Sequence, residues 1–176
     1  MSETDDARGL WRKAMIAVPT IVILGSVIGI LSNSGFSNDW YAPLDKPAFQ
    51  PPGWAFGATW AALYTMMGIA LATILNEAES PRRRRGLALF AAQLALNFAW
   101  SPVFFGGGMI DLGLLIIIVM MALVVMTIIA FWRIRPLAGA LLLPYLAWLC
   151  LAAALNFETG RLNPGADKAP LGITGA

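Results

Sequence analysis

Five long apolar segments, separated by polar or glycine- and proline-rich stretches, make up most of this chain. A membrane-spanning helix needs about 20 apolar residues, because each residue adds about 1.5 Å and the hydrocarbon core is about 30 Å thick. The pattern therefore predicts an all-α integral membrane protein with five transmembrane helices. Its short connections indicate a compact bundle. The predicted spans are residues 14–31, 54–75, 87–105, 112–132 and 136–157.

The spans divide the chain into a polar segment, a membrane domain and a tail. Residues 1–13 are predicted to be a cytoplasmic polar tail, disordered over residues 1–10. Residues 14–160 form the five-helix domain, and the glycine- and proline-rich residues 161–176 are predicted to be flexible. A cleavable signal peptide is the competing interpretation of the first span. We favour a retained helix, since its apolar run exceeds the usual signal-peptide core of about 7–15 residues.

Composition excludes several classes of protein. The chain is 59% hydrophobic and 12% charged, against about 25% charged residues in soluble domains. Histidine is absent and Cys150 is the single cysteine, which argues against a zinc site, histidine-ligated haem, an internal disulfide or a histidine-based catalytic dyad. No metal site is predicted, and Cys150 is expected to be a small buried side chain. The basic residues form no continuous face, so no nucleic-acid partner is expected.

The distribution of cationic residues predicts the orientation. Nine lie in the amino-terminal segment and in the second and fourth connections, and three lie on the opposite side. The positive-inside rule then places the amino terminus in the cytoplasm and the first loop and carboxyl tail outside. The nine are Arg8, Arg12, Lys13, Arg82–Arg85, Arg133 and Arg135, and the three are Lys46, Arg161 and Lys168.

Three spans carry polar and aromatic residues at helical spacing, so that each presents one such face. Polar side chains inside a membrane normally face the bundle interior. Converging aromatic rings with few polar groups are typical of a site for a flat, apolar ligand. The three faces are Trp60, Tyr64 and Met67; Gln93, Asn97 and Trp100; and Tyr145, Trp148, Ala152 and Asn156.

Structural roles compete with binding for some of these residues. Asn97 and Asn156 would also serve as interhelical hydrogen-bonding groups. The tryptophans at predicted helix ends, Trp11, Trp54 and Trp132, are typical of the interfacial belt. The fourth span offers only Thr127 as a polar side chain between its ends, which predicts a helix that faces lipid or a second copy of the chain.

The first loop, residues 32–53, is predicted to be a lid over this site. Its prolines deny helix formation, and long ordered loops are often lids. Asp45 and Lys46 could pair with each other, or Lys46 could bind a ligand carboxylate. Acids elsewhere, Asp111 and Glu158, are distant in sequence and lie near predicted helix ends. A binding protein therefore fits these residues better than an enzyme or a pump.

The ordered motifs of the chain resemble those of the TspO/MBR family, the tryptophan-rich sensory proteins and translocator (peripheral-type benzodiazepine receptor) proteins. The resemblance covers about residues 14–163. The matching stretches are Trp40-Tyr41-x2-Leu44-x-Lys46-Pro47; Pro51-Pro52-x-Trp54-x-Phe56-x3-Trp60-x2-Leu63-Tyr64; Ala92-Gln93-Leu94-x-Leu96-Asn97-x2-Trp100-x-Pro102-x-Phe104-Phe105-Gly106; Pro144-Tyr145-Leu146-Ala147-Trp148; and Leu155-Asn156-Phe157 with Arg161.

The resemblance implies a membrane receptor-like protein that binds porphyrins such as protoporphyrin IX beneath the first loop, linked to tetrapyrrole metabolism or stress sensing. No cofactor is expected, since the porphyrin would be ligand or substrate. Light-dependent porphyrin degradation, with Trp60 and Trp148 as the catalytic residues, is the alternative, and transport of porphyrin or sterol is a third. The predicted ligand-binding residues are Trp40, Asp45, Lys46, Trp60, Tyr64, Gln93, Asn97, Trp100, Phe104, Tyr145, Trp148, Ala152 and Asn156.

The resemblance also implies a partner, and the sequence departs from the family's pattern at one position. Family members often pair through the third helix, and Ala88, Ala91, Ala92 and Ala95 would allow a homodimer. Phe157 replaces the tyrosine of the sterol-recognition pattern between Leu155 and Arg161, so the sequence does not support a sterol site. Membrane lipid surrounds the bundle, and we expect a bacterial membrane rather than the mitochondrial outer membrane.

Overall fold

The computed structural model describes residues 3–175, and in that range the chain is helical and contains no strand. Five helical segments are long and apolar enough to cross a membrane. This confirms an all-α integral membrane protein with five spans. In chain order the helices are α1 (Glu3–Leu31), α2 (Gly53–Asn76), α3 (Pro81–Ser101), α4 (Ile110–Trp132), α5 (Pro136–Ala140) and α6 (Leu143–Leu162).

The polar amino-terminal segment is helical rather than disordered, because α1 already begins at Glu3. Alanine, arginine, leucine and lysine, which are good helix formers, occupy much of the stretch between Ala7 and Lys13. The helix of the first span therefore continues through the polar segment. Met1 and Ser2 lie outside the described residues.

Glycines bring α1 and α2 into close contact along their length. A methyl group on Gly68 of α2 would lie 2.6 Å from the Cα atom of Val18 on α1. A methyl group on Gly25 of α1 would lie 2.2 Å from the ring of Tyr64 on α2. Of the Gly25–Gly29 pair, only Gly25 makes a close approach, since nothing lies within 4 Å of a Cβ built on Gly29.

Gly68→Ala is expected to destabilise the bundle by about 2 kcal/mol, because the added methyl meets backbone atoms and α1 must move away. Gly57→Ala is the matched control on the same helix. Nothing lies within 4 Å of its Cβ position, so the gain in helix propensity makes it neutral or stabilising. Unfolding in mixed micelles measures both free energies. Equal stability of the two variants would contradict the close packing.

One face of helix α4 is buried in the bundle, so the prediction that the helix faces lipid or a second copy of the chain fits its other face only. It packs against α3, α5 and α6, and Ile117, Met120, Val124 and Phe131 are buried. Other α4 side chains, such as Ile118 and Val119, are exposed. A helix that is apolar all round carries no sequence signal of which face is buried.

Helix α3 ends in one π-helical turn, Pro102–Gly106. Pro102 has no N–H to continue the regular ladder, and the amide of Gly107 donates to the carbonyl of Pro102 over 2.8 Å. The turn directs Phe104 into the protein, where it is 3% exposed. Such turns occur frequently at functional sites.

The fifth span is two helices, α5 and α6, joined by a turn at residues 141–142. The segment after α6 folds back onto the bundle, and Asp167 and Thr174 are buried. The prediction of a flexible tail over residues 161–176 is thus wrong from Arg161 to Thr174. The first two residues belong to α6, and Asp167, Leu171, Ile173 and Thr174 are hydrogen-bonded to Asp111 at the start of α4. Cys150, predicted to be buried, is exposed, because its side chain lies on the outer face of α6.

Candidate functional site

A cavity of about 680 Å³ lies inside the bundle, beneath the loop that joins α1 to α2. Its volume is within the range of small-molecule sites, roughly 300–1,000 Å³. Helices α1, α2, α3, α4 and α6 and the π turn contribute to the wall. Most lining side chains are apolar or aromatic; the aromatic ones are Phe36, Tyr41, Phe56, Trp60, Tyr64, Phe98, Trp100, Phe104, Phe105 and Trp148.

One wall is an aromatic cluster that joins α2 to α6. Trp148 of α6 meets Phe56 and Trp60 of α2 edge to face, with ring centroids 5.6 and 6.5 Å apart. Trp60 also lies 5.1 Å from the ring of Tyr64 one turn further along α2. The i, i+4 spacing of Trp60 and Tyr64 puts both rings on one helix face.

The facing wall comes from the end of α3 and the π turn. Trp100 stacks on Phe104 with ring centroids 4.9 Å apart and planes 14° apart. Phe105 meets Trp100 edge to face at 5.7 Å, and Tyr41 of the loop meets Phe104 at 5.8 Å. Two aromatic walls thus face one internal space.

A buried hydrogen-bond chain connects four helices, α2, α3, α6 and α4, beside the first wall. The Tyr64 hydroxyl donates to Oδ1 of Asn97 over 2.9 Å, and Nδ2 of Asn97 donates to the Tyr145 hydroxyl over 2.9 Å. The Tyr145 hydroxyl in turn donates to the sulfur of Met120 over 3.1 Å. Asn97 therefore lines the cavity and also holds α2, α3 and α6 together through its two hydrogen bonds.

Three polar atoms of cavity-lining residues have no hydrogen-bond partner within the described part of the chain: Nε2 of Gln50, Nε1 of Trp100 and Oδ1 of Asn156. Nδ2 of Asn156 donates to the Ile110 carbonyl over 2.8 Å, which fixes the amide orientation. The unpaired atoms of Trp100 and Asn156 lie beside Gly113, within 3.4 Å of the position of a Cβ there. Buried unpaired donors and acceptors are uncommon, and here a donor and an acceptor are left unsatisfied close together.

The structure brings eight of the thirteen predicted ligand-binding residues to the cavity and places five elsewhere. The lining residues are Trp60, Tyr64, Asn97, Trp100, Phe104, Trp148, Ala152 and Asn156. The five that do not line it are Trp40, Asp45, Lys46, Gln93 and Tyr145. Trp60 and Trp148, the residues predicted for porphyrin degradation, share the α2–α6 wall.

The lid residues bind protein groups instead of facing the cavity. Nζ of Lys46 donates to the carbonyls of Tyr41 and Leu44, each over 2.6 Å, and lies 4.2 Å from the centre of the Tyr41 ring. Burial lowers the pKa of the Lys46 ammonium, and the charge of Asp45 partly offsets this. The Asp45 backbone pairs with the Asn163 amide. Lys46 is thus an internal brace of the loop.

Trp40 and Tyr145 lie behind the cavity wall. The Trp40 ring meets Phe104 edge to face at 5.5 Å, and its Nε1 donates to the Ala166 carbonyl over 3.1 Å. Tyr145 is fully buried, where it supports Asn97. Helical spacing grouped Tyr145 with Trp148, but it could not show that Tyr145 is buried in the core while Trp148 lines the cavity.

Gln93 is fully buried, and neither atom of its amide has a hydrogen-bond partner among the described residues. It shares the inward face of α3 with Asn97 but lies one turn deeper, below the cavity. Burying an unpaired amide costs about 1–3 kcal/mol.

Gln93→Leu is therefore expected to stabilise the protein by about 1 kcal/mol and to leave ligand affinity unchanged. Unfolding in mixed micelles and equilibrium titration measure the two quantities. Gln93→Ala, which removes the same amide but leaves space, is the control and is expected to destabilise. A stability loss in Gln93→Leu equal to that of the control would show that the amide has a partner.

Sequence reasoning missed the contribution of α1 and the start of the loop. Gly25, Ser26, Gly29, Ser34 and Phe36 line the cavity, and the Ser34 hydroxyl is hydrogen-bonded to that of Ser101. Gly25 and Gly29, four residues apart in the first span, were the available signal. Neither Asp111 nor Glu158 lines the cavity: Glu158 pairs with Arg161, and Asp111 binds the chain after α6.

The fold and cavity define a class: a five-helix membrane protein with an aromatic cavity under its first loop. Comparison with known proteins points to one family. The profile of the TspO/MBR family matches residues 16–162. The chain is 40% identical over 126 residues to the tryptophan-rich sensory protein of Cereibacter sphaeroides, covering 72% of this chain and 78% of that protein.

Two further relatives agree. The chain is 39% identical over 127 residues to Protein CrtK of Rhodobacter capsulatus, covering 72% of this chain and 79% of the relative. It is 36% identical over 144 residues to the human translocator protein, and the match covers 81% of this chain and 85% of that protein. The chain belongs to the TspO/MBR family.

Proposed function

We propose that this protein is a membrane receptor for porphyrins, with protoporphyrin IX as the representative ligand, and that the cavity under the first loop is the binding site. The observation that carries the proposal is the pair of facing aromatic walls, Trp60 with Trp148 and Trp100 with Phe104. Aromatic faces favour stacked or edge-to-face contact with another flat π system. The family resemblance supports a porphyrin in particular.

The unpaired polar atoms support a ligand that is apolar but carries a few hydrogen-bonding groups. A metal-free porphyrin has pyrrole N–H groups and carboxyl side chains. We propose that Nε1 of Trp100 donates to a ligand oxygen and that Oδ1 of Asn156 accepts from a ligand N–H or O–H. Small-molecule sites commonly combine an apolar wall with a few such polar groups.

We further propose that the amino terminus is cytoplasmic. Arg82, Arg84, Arg85 and Arg133 are exposed at the end of the bundle where α3 begins and α4 ends. The lid loop and the chain after α6 contact each other at the opposite end. The positive-inside rule then puts the lid on the outer side.

A homodimer through α3 is the proposed assembly. Four small residues form an exposed stripe on this helix, and small side chains allow close approach of helices in a membrane. The stripe consists of Ala88, Ala91, Ala92 and Ala95.

Equilibrium titration tests the proposed function. Purified protein in lipid nanodiscs is titrated with protoporphyrin IX, and the shift of the porphyrin absorption band is followed alongside empty nanodiscs. Saturable binding with one porphyrin per chain, beyond partition into lipid, is expected. Identical titration curves for loaded and empty nanodiscs would refute the proposal.

A further inference from the structure

The chain after α6 is tied to the start of α4 by a buried carboxylate. Asp111 is 0% exposed. Its Oδ2 accepts from the amides of Leu171 and Ile173 over 2.8 and 3.0 Å. Its Oδ1 accepts from the Thr174 amide over 3.0 Å and the Thr174 hydroxyl over 2.6 Å. We call residues 163–174 the strap.

A second carboxylate lies on the strap itself and accepts a hydrogen bond from the first turn of α4. Oδ2 of Asp167 accepts from the Asp111 amide over 2.7 Å, and its Oδ1 accepts from the Ala169 amide over 2.9 Å. Helix α4 has no side-chain cap from its own N-cap residue, Met109, so Asp167 supplies an acceptor to the first turn. Both carboxylates lie at the positive end of the α4 dipole.

The strap in turn holds the lid loop. Asn163 pairs with the backbone of Asp45: its Oδ1 accepts from the Asp45 amide over 2.7 Å, and its Nδ2 donates to the Asp45 carbonyl over 2.9 Å. The Ala166 carbonyl accepts from Nε1 of Trp40 over 3.1 Å. The lid is therefore attached to the strap at two separated points.

The lid reaches the cavity wall through Trp40. Its ring meets Phe104 edge to face at 5.5 Å, and Phe104 stacks on Trp100. Gly108 has φ +66°, and a methyl group there would lie 2.9 Å from the Lys168 side chain and 3.1 Å from Trp40. Strap, lid and π turn thus meet in close contact at the mouth of the cavity.

We propose that Asp111 is a positioning residue for the ligand site: it latches the strap, the strap holds the lid closed, and the lid sets how fast a ligand enters and leaves. The inference rests on the proposed function for its ligand, while its structural part stands independently. Releasing the latch raises both the association and the dissociation rate, because the closed lid is a barrier in both directions. The equilibrium affinity changes less than either rate.

The test compares full-length variants in nanodiscs with protoporphyrin IX as the probe. Asp111→Ala removes the latch, Asp111→Asn keeps an acceptor, and Asp39→Ala removes an exposed carboxylate of the lid as the matched control. Stopped-flow quenching gives both rates. Trypsin cleavage after Lys168 and hydrogen exchange at the Asp45 amide report strap and lid without any ligand.

Asp111→Ala is expected to speed dissociation by about tenfold, a change of about 1.4 kcal/mol in the barrier, with faster cleavage at Lys168 and faster exchange at Asp45. Asp111→Asn should fall between it and the parent protein, and Asp39→Ala should match the parent. Unchanged rates in Asp111→Ala despite cleavage at Lys168 would overturn the link between strap and lid. Unchanged cleavage would overturn the latch itself.

A second variant covers the case in which Asp111→Ala fails to fold. Asn163→Ala cuts a strap–lid attachment and leaves Asp111 and its four contacts in place. Faster dissociation with normal protection of Lys168 is expected, and parental rates would overturn the proposal. If the parent protein binds no porphyrin, the proposed function fails, and exchange at the Asp45 amide alone decides whether the strap holds the lid.

Discussion

Trp148→Ala is expected to weaken protoporphyrin IX binding by about 30-fold, or about 2 kcal/mol. Trp148 lines the cavity and contacts both Phe56 and Trp60, so its removal deletes one aromatic face and loosens two others. Stacking on one aromatic side chain contributes roughly 1–3 kcal/mol for a nucleobase, and a porphyrin offers a larger flat surface. Equilibrium titration in nanodiscs measures the loss.

Trp132→Ala is the matched control for this prediction. Trp132 ends α4 and is 46% exposed, away from the cavity, so its loss should change the affinity less than twofold. Trp148→Phe should retain part of the affinity, because a smaller aromatic face remains. Equal weakening by Trp132→Ala and Trp148→Ala would indicate a general effect on the bundle and would contradict a specific site.

Asn97→Leu is expected to cost about 2 kcal/mol of stability. The substitution removes the acceptor of the Tyr64 hydroxyl and the donor to the Tyr145 hydroxyl. A single interhelical hydrogen bond in a membrane contributes about 0.6 kcal/mol on average, but here two bonds are lost and a buried hydroxyl is left without its acceptor. Unfolding in mixed micelles measures the change.

Gln93→Leu, one helical turn earlier on α3, is the comparison that isolates the network. It replaces the same kind of side chain with leucine, but the amide it removes has no partner among the described residues. Stability should therefore rise in Gln93→Leu and fall in Asn97→Leu. A fall of similar size in both variants would mean that polarity at these depths, rather than the specific hydrogen bonds, determines stability.

The sequence was sufficient for the five spans and for many of the residues that line the cavity, because both depend on local patterns. Apolar run length predicts a span, and i, i+4 spacing correctly put Trp60 with Tyr64 and Trp148 with Ala152 on inward faces. Spacing within one helix does not give depth, however. Gln93 and Tyr145 share faces with cavity residues and lie below or behind the cavity.

The features that could not be predicted depend on contacts between distant segments. Asp111 and Thr174 are separated by most of α4, α5 and α6, and no local pattern links a buried carboxylate to a tail rich in glycine and proline. The same limit applies to Asn163 and Asp45, whose pairing joins the chain after α6 to the first loop. The burial of one face of α4 was hidden for a different reason, since most side chains on both its buried and its exposed face are apolar.

Indole N–H resonances recorded during a porphyrin titration test the central claim most directly. The protein has seven tryptophans, and a porphyrin ring current shifts only resonances of protons lying close to the ring. The account predicts large shifts for Trp60, Trp100 and Trp148 and negligible shifts for the exposed Trp11, Trp54 and Trp132. Shifts confined to those three exposed residues would place the porphyrin on the lipid-facing surface and contradict the account.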